Sequence, residues 1–177
     1  MRYFLLKQDD LYSDAPYIKN WNQTIDVRNI SLGGAHRLKH RILVELVPNR
    51  HVVFLDVLTN PTLMYSEKVK NVTELYNENI KHKQVVLLDS ENMFSELYFM
   101  PILPVIDCLS DKSKFNLDHS IVQEAILIED KIRGHSLFWL AGVKSKYTVI
   151  RLDLAESLLR RRTRGVKLIP VALERRQ

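Results

Sequence analysis

The sequence predicts an α+β fold, a mixed or mostly antiparallel sheet with a few short helices packed on it. Three observations carry this. Short runs of leucine and β-branched residues are bounded by proline, asparagine and glycine, the punctuation of strands. Only two segments repeat apolar residues at helical spacing: Val69-Val72-Leu75-Tyr76 and Leu154-Ala155-Leu158-Leu159. Each of those segments lies between two strand-like runs, which asks for a two-layer packing of helix on sheet. Residues 1–177 read as a single domain, since that length fits one core.

The elements follow in order. Residues 3–7 read as an opening strand. They begin like a secretory leader, but Lys7, Asp9 and Asp10 end the apolar run too early for one. Residues 9–22 are a polar loop holding Pro16 and three aromatics, Tyr12, Tyr17 and Trp21. After residues 25–30 and the Gly33-Gly34 break, a strand at 42–47 is stopped by Pro48-Asn49. A second apolar run at 52–58 is stopped by Asn60-Pro61, and residues 63–65 continue extended. Ser66 is suited to N-cap a helix that ends near Asn79, with Glu67 placing negative charge in its first turn. A short buried strand at 85–88 and extended runs at 97–103 and 105–109 come next, the last two separated by Pro104. Residues 120–129 are ambiguous, strand by composition and helix by length. Strands at 137–140 and 147–152 flank a turn at 142–146. Asp153 is read as the cap of the last helix, Glu156 and Arg160 pair at i and i+4, and Gly165 is the expected stop. Leu158 and Leu159 are both expected to be buried. Residues 166–173 close the chain as a strand.

Composition narrows the classes. With 46% hydrophobic and 27% charged residues the chain is no disordered polymer. No stretch is long and apolar enough to span a membrane. The single cysteine, Cys108, forms no intramolecular disulfide, which fits a cytoplasmic protein. The net charge of +5 is concentrated at the end, in Arg160, Arg161, Arg162, Arg164, Lys167, Arg175 and Arg176. An acidic protein surface or a nucleic acid is the class of partner such a charge attracts.

The stretch Val149-Ile150-Arg151-Leu152-Asp153-Leu154-Ala155-Glu156-Ser157-Leu158-Leu159-Arg160-Arg161, followed by Gly165-Val166-Lys167-Leu168, resembles the closing segment of the polymorphic-toxin immunity proteins of immunity family eleven. Leu63-Met64-Tyr65-Ser66-Glu67-Lys68-Val69 is similar to the middle segment of that family, and Pro104-Val105-Ile106-Asp107-Cys108-Leu109-Ser110 to a third shared stretch. The resemblance covers roughly residues 50–173, and its motifs are structural. It implies a non-catalytic bacterial protein that binds and neutralises a co-encoded toxin. The basic charge departs from the acidic surface of a nuclease inhibitor.

Candidate sites are few. His36 and His40 stand at i and i+4, but Arg37 occupies the position where a metallopeptidase needs glutamate, so no metal is expected. Cys108 and His119 form a nucleophile pair only if the fold brings them together. Between Ile106 and Leu109, the cysteine suits a small buried hydrophobe. Asp107, Asp111 and Asp118 read as solvated loop acids. Gly33-Gly34 lacks the lysine-serine of a phosphate loop, and no serine elbow is present, so neither cofactor nor catalytic residue is expected. Partner binding is assigned instead to the aromatic loop, Tyr12, Tyr17 and Trp21, and to Arg160, Arg161 and Arg164 at the last helix end. The alternative is a small nucleic-acid-binding or enzymatic domain that uses the basic C-terminal end.

Overall fold

The computed structural model describes residues 1–118 and 120–175. Strand β1 spans Tyr3–Gln8. The loop after it contains one helical turn, α1 at Trp21–Thr24. In β2, Arg41–Glu45, buried Ile42 and Val44 alternate with exposed neighbours, as on a strand covered on one face. The run at 52–58 is strand only at its end, in β3, Val57–Leu58. The rest is a loop because its backbone groups bond elsewhere: Val53 N–H donates to Asp14 O (2.7 Å), and Leu55 O accepts the Tyr98 hydroxyl (2.5 Å).

Strand β4, Met64–Tyr65, leads into α2, Glu67–Tyr76. Ser66 holds the N-cap position, yet its hydroxyl donates to Asp56 Oδ1 (2.9 Å) instead of receiving a helix N–H. The helix ends at Tyr76 rather than Asn79. Asn77 is extended, and its side chain accepts the Asn79 N–H in an Asx turn. Strands β5, Lys81–Asp89, and β6, Phe94–Ile102, form a hairpin longer than the apolar runs that announce it. Backbone pairing carries Lys81, His82 and Lys83 along, opposite Ile102, Pro101 and Met100.

Strands β7 (Val105–Ile106), β8 (Lys114–Phe115), β9 (Val122–Glu124) and β10 (Ile126–Ile128) are short, and α3 is one turn at Glu129–Ile132. The ambiguous 120–129 segment is therefore strand, with the helix starting at its last residue. Strands β11 (Leu137–Leu140) and β12 (Thr148–Arg151) flank the expected turn. Helix α4 spans Leu152–Arg160. Arg151, not Asp153, holds its N-cap position. Asp153 sits in the first turn, where Arg151 donates to both its carboxylate oxygens at 2.8 Å. The helix stops before Gly165 because Arg162 takes a left-handed φ of 51°. Gly165, at φ +83°, serves a different contact: a Cβ there would lie 2.9 Å from Leu55 Cβ and Val57 O. Strands β13, Val166–Pro170, and β14, Ala172–Glu174, end the described chain.

Two five-stranded sheets dominate. The first has the order β13-β1-β12-β11-β7 and the second β2-β5-β6-β4-β3. In the first, β1 runs antiparallel to both β12 and β13, so the strands flanking α4 are parallel with one strand between them. In the second, β6 runs antiparallel to both β4 and β5, so the strands flanking α2 have the same arrangement. The outer neighbours β3 and β11 are both antiparallel too. The two strand–helix–strand units thus share one spatial plan, although little identity joins them. α2 and α4 meet where Tyr76 reaches Ser157. The class is α+β, mostly sheet, as expected.

The three inner strands of the first sheet, β1, β12 and β11, are buried on both faces. Leu6, Leu137, Trp139 and Ile150 join the larger apolar cluster, which also holds Val85, Leu87, Tyr98 and the helix residues Val69, Leu154, Ala155 and Leu158. Tyr3, Leu5, Phe138, Leu140 and Val149 point the other way, to a smaller cluster with Cys108, Leu127 and Ile132. Leu158 is 1% exposed, but Leu159 is 51% exposed, contrary to expectation. A nine-residue helix lying on one cluster covers a narrow stripe, and Leu159 falls beside it. No helix among the described residues is long and apolar enough to cross a membrane.

Candidate partner-binding groove

Three loops build a groove. The first is the aromatic loop. Lys19 N–H donates to Glu45 O (2.7 Å), and Tyr17 O accepts from Val47 N–H (2.8 Å), which pins the loop beside the end of β2. Its aromatics part ways. Tyr12 is partly buried against the large cluster, Trp21 is 7% exposed, and Tyr17 is 66% exposed. The second loop is the turn 59–62, tied to β1 by Gln8 N–H on Thr59 Oγ1 (3.0 Å). The third is the 142–146 turn between β11 and β12, where Gly142 adopts φ +78°.

Pro16, Tyr17 and Trp21 border one end of the groove together with Asn60 and Pro61. Trp21, Asn22, Asn60 and Pro61 continue into a larger cleft of about 700 Å³, walled also by Arg28, Thr62, Lys144 and Lys146. No aspartate or glutamate lines either half among the described residues.

Lys146 is the central charge. Its ammonium donates to Ile30 O and lies 4.0 Å from the Trp139 ring centroid, a cation–π contact. Burial pushes its pKa down to about 8. Arg28 is held by Asp26 (2.9 Å) and Lys144 by Asp118 (3.5 Å). Thr62 is 2% exposed, and its hydroxyl has no hydrogen-bond partner among the described residues; nor does the Trp139 indole N–H.

The arginines at the end of α4 line neither half of this groove. Arg160 pairs with Glu156 (3.8 Å), and Arg161 donates to Ser157 O (3.0 Å), which answers the free carbonyls of the helix end. Arg164 donates to Phe54 O (3.3 Å), and its backbone N–H reaches Asp56 Oδ2 (2.8 Å). The six residues assigned to partner binding therefore lie in two places, and only Tyr17 and Trp21 share the groove.

The other candidates separate as well. His36 is in a 3-10 turn and His40 lies beyond it, so no helix face joins them. Cys108 is fully buried, and burial raises its thiol pKa to about 12. His119 lies outside the described residues. Asp107 faces Lys131 (3.5 Å), and Asp118 accepts from the Ser120 hydroxyl (2.6 Å). Among the described residues no three of His, Cys, Asp and Glu gather as a metal site would require. Lys146 and Thr62, the most informative members of the groove, were missed by sequence reasoning. One stands in an ordinary turn and the other after a proline, and neither belongs to a motif. No model of a known protein family matches the chain, and no curated protein matches it.

Proposed function

We propose that this chain is an immunity-type protein of the bacterial cytoplasm. It binds a co-encoded toxin at the groove and neutralises it by occlusion. The partner contributes an acidic segment. The observation that supports this is the groove itself: an exposed tyrosine at one end, a tryptophan in the middle, three cations at the other, and no carboxylate along it. The exposed Tyr17 ring supplies contact area, and Lys146, which no carboxylate among the described residues pairs, favours an acidic partner. The likeness read in the sequence between residues 50–173 and immunity family eleven is the other ground for the proposal, although no family model matches the chain. A nucleic-acid role for the C-terminal arginines has less support, since Arg160 and Arg164 are engaged within the chain.

The test is protection of cells that express the toxin encoded beside this protein, with purification of the pair. Protection titrating to a one-to-one complex is the expected result. Tyr17→Ala and Lys144→Glu weaken the complex, while Cys108→Ala, His36→Ala, His40→Ala and His119→Ala keep it. A histidine or cysteine variant that melts normally and binds the toxin, yet no longer protects, overturns occlusion in favour of catalysis.

A further inference from the structure

We infer that the larger half of the groove, around Lys146 and Thr62, is a binding site for an oxyanion, a carboxylate or a phosphate group. The inference rests on the reading of the groove as a binding surface, but the identity of any toxin does not enter it.

An ammonium group has three N–H donors. At Lys146 one is on Ile30 O and the ammonium also rests on the Trp139 face, which leaves donor capacity toward the cleft that Lys146 lines. No carboxylate among the described residues pairs with it. A half-buried charge without a counterion is costly, and an arriving anion supplies the missing partner. The lining suits an anion: it holds no acid among the described residues, and its other two cations, Lys144 and Arg28, are each paired with an aspartate outside it, which leaves Lys146 as the unpaired charge. Thr62 supplies the second, independent observation. Thr62 lines the same cleft, and its buried hydroxyl has no partner among the described residues. Burial of Lys146 also lowers its pKa, and a bound anion would oppose that shift by favouring the charged form.

The chain carries two tryptophans, and both border this cleft: Trp21 lines it and Trp139 underlies the Lys146 ammonium. Intrinsic fluorescence of the full chain, without any toxin, is therefore the readout. The probes are inorganic phosphate, glutarate and an acetylated tri-glutamate peptide, each against sodium chloride at equal ionic strength. At least one probe is expected to change the fluorescence saturably. Lys146→Met should weaken that probe about tenfold, the worth of one charge-assisted hydrogen bond. Thr62→Val keeps the side-chain shape, so it reports even where the lysine variant unfolds, and a several-fold loss is expected. Saturation by phosphate or glutarate identifies a free small anion as the ligand; saturation by the peptide alone identifies a protein carboxylate. A response no different from chloride overturns the inference, as does a saturable response that both variants leave unchanged. Neither negative result touches toxin neutralisation. Loss of protection with anion binding intact would sink the toxin reading alone.

Discussion

The Tyr76 hydroxyl of α2 donates to the carbonyl oxygen of Asp153 in α4 at 3.0 Å, and Ser157 Oγ lies 2.8 Å from the same hydroxyl. One side chain thus ties the helices of the two strand–helix–strand units. Tyr76→Phe removes the tie and little else. It should lower unfolding stability by about 1 kcal/mol, the usual net worth of such a bond. A urea titration checks this: the midpoint falls and the slope stays. An unchanged midpoint means that the helices are held by apolar contact alone.

Neighbouring leucines on α4 should behave as opposites. Leu158 is buried among both sheets' residues, and Leu158→Ala should cost roughly 2–5 kcal/mol. Leu159→Ala should stay within about 0.5 kcal/mol, as exposed substitutions do. Equal losses in denaturant unfolding would show that Leu159 is covered in solution, by a partner copy or another protein.

That pair also shows where sequence reading stops. Both strand–helix–strand units were legible from their apolar spacing, a local signal, although the side-chain caps and the glycine stop expected of them are not the ones the chain uses. Which leucine of two adjacent ones faces the core depends on how the helix rolls on the sheets, and spacing over nine residues fixes that only loosely. The loop at 52–58 looked like a strand because its apolar residues do reach the core, as Leu55 does, without any sheet partner for most of its backbone. The groove was legible only at Tyr17 and Trp21. Its other half joins residues near 30, 60 and 145, and no local pattern links positions so far apart in the chain.

His82 predicts an acid sensitivity. Its Nε2 lies 2.7 Å from the Tyr65 hydroxyl, and Nδ1 is 3.6 Å from Glu74. Its pKa is lowered from 6.5 to about 4, chiefly by burial, with Glu74 opposing the shift and Lys70 adding to it. Between those values the unfolded chain binds a proton that the folded chain refuses, so stability falls as the pH drops from 6.5 toward 4. Unfolding measured at pH 7, 5.5 and 4.5 should show this decline, and His82→Gln should flatten it. A parallel decline in wild type and variant assigns the acid sensitivity to carboxylates instead.

Cys108 should be silent in the native state. Its thiol is buried and its pKa raised, so little thiolate forms near neutral pH. A chromogenic disulfide reagent should label the folded protein far more slowly than the protein in guanidinium. Prompt stoichiometric labelling under native conditions would contradict the buried placement and reopen nucleophilic chemistry.

The place of β1 between β12 and β13 has a consequence for biosynthesis. Tyr3 pairs with Arg151, and Leu5 with Ile169, so the ribosome delivers this inner strand long before either neighbour exists. Every strand of the second sheet lies between Arg41 and Ile102, and that sheet can close while translation continues. The segment Tyr3-Phe4-Leu5-Leu6 meanwhile waits as an unpaired apolar strand, an open template for aggregation and a natural client for chaperones. Such long-range closure slows folding, since distant segments must meet before any contact rewards them.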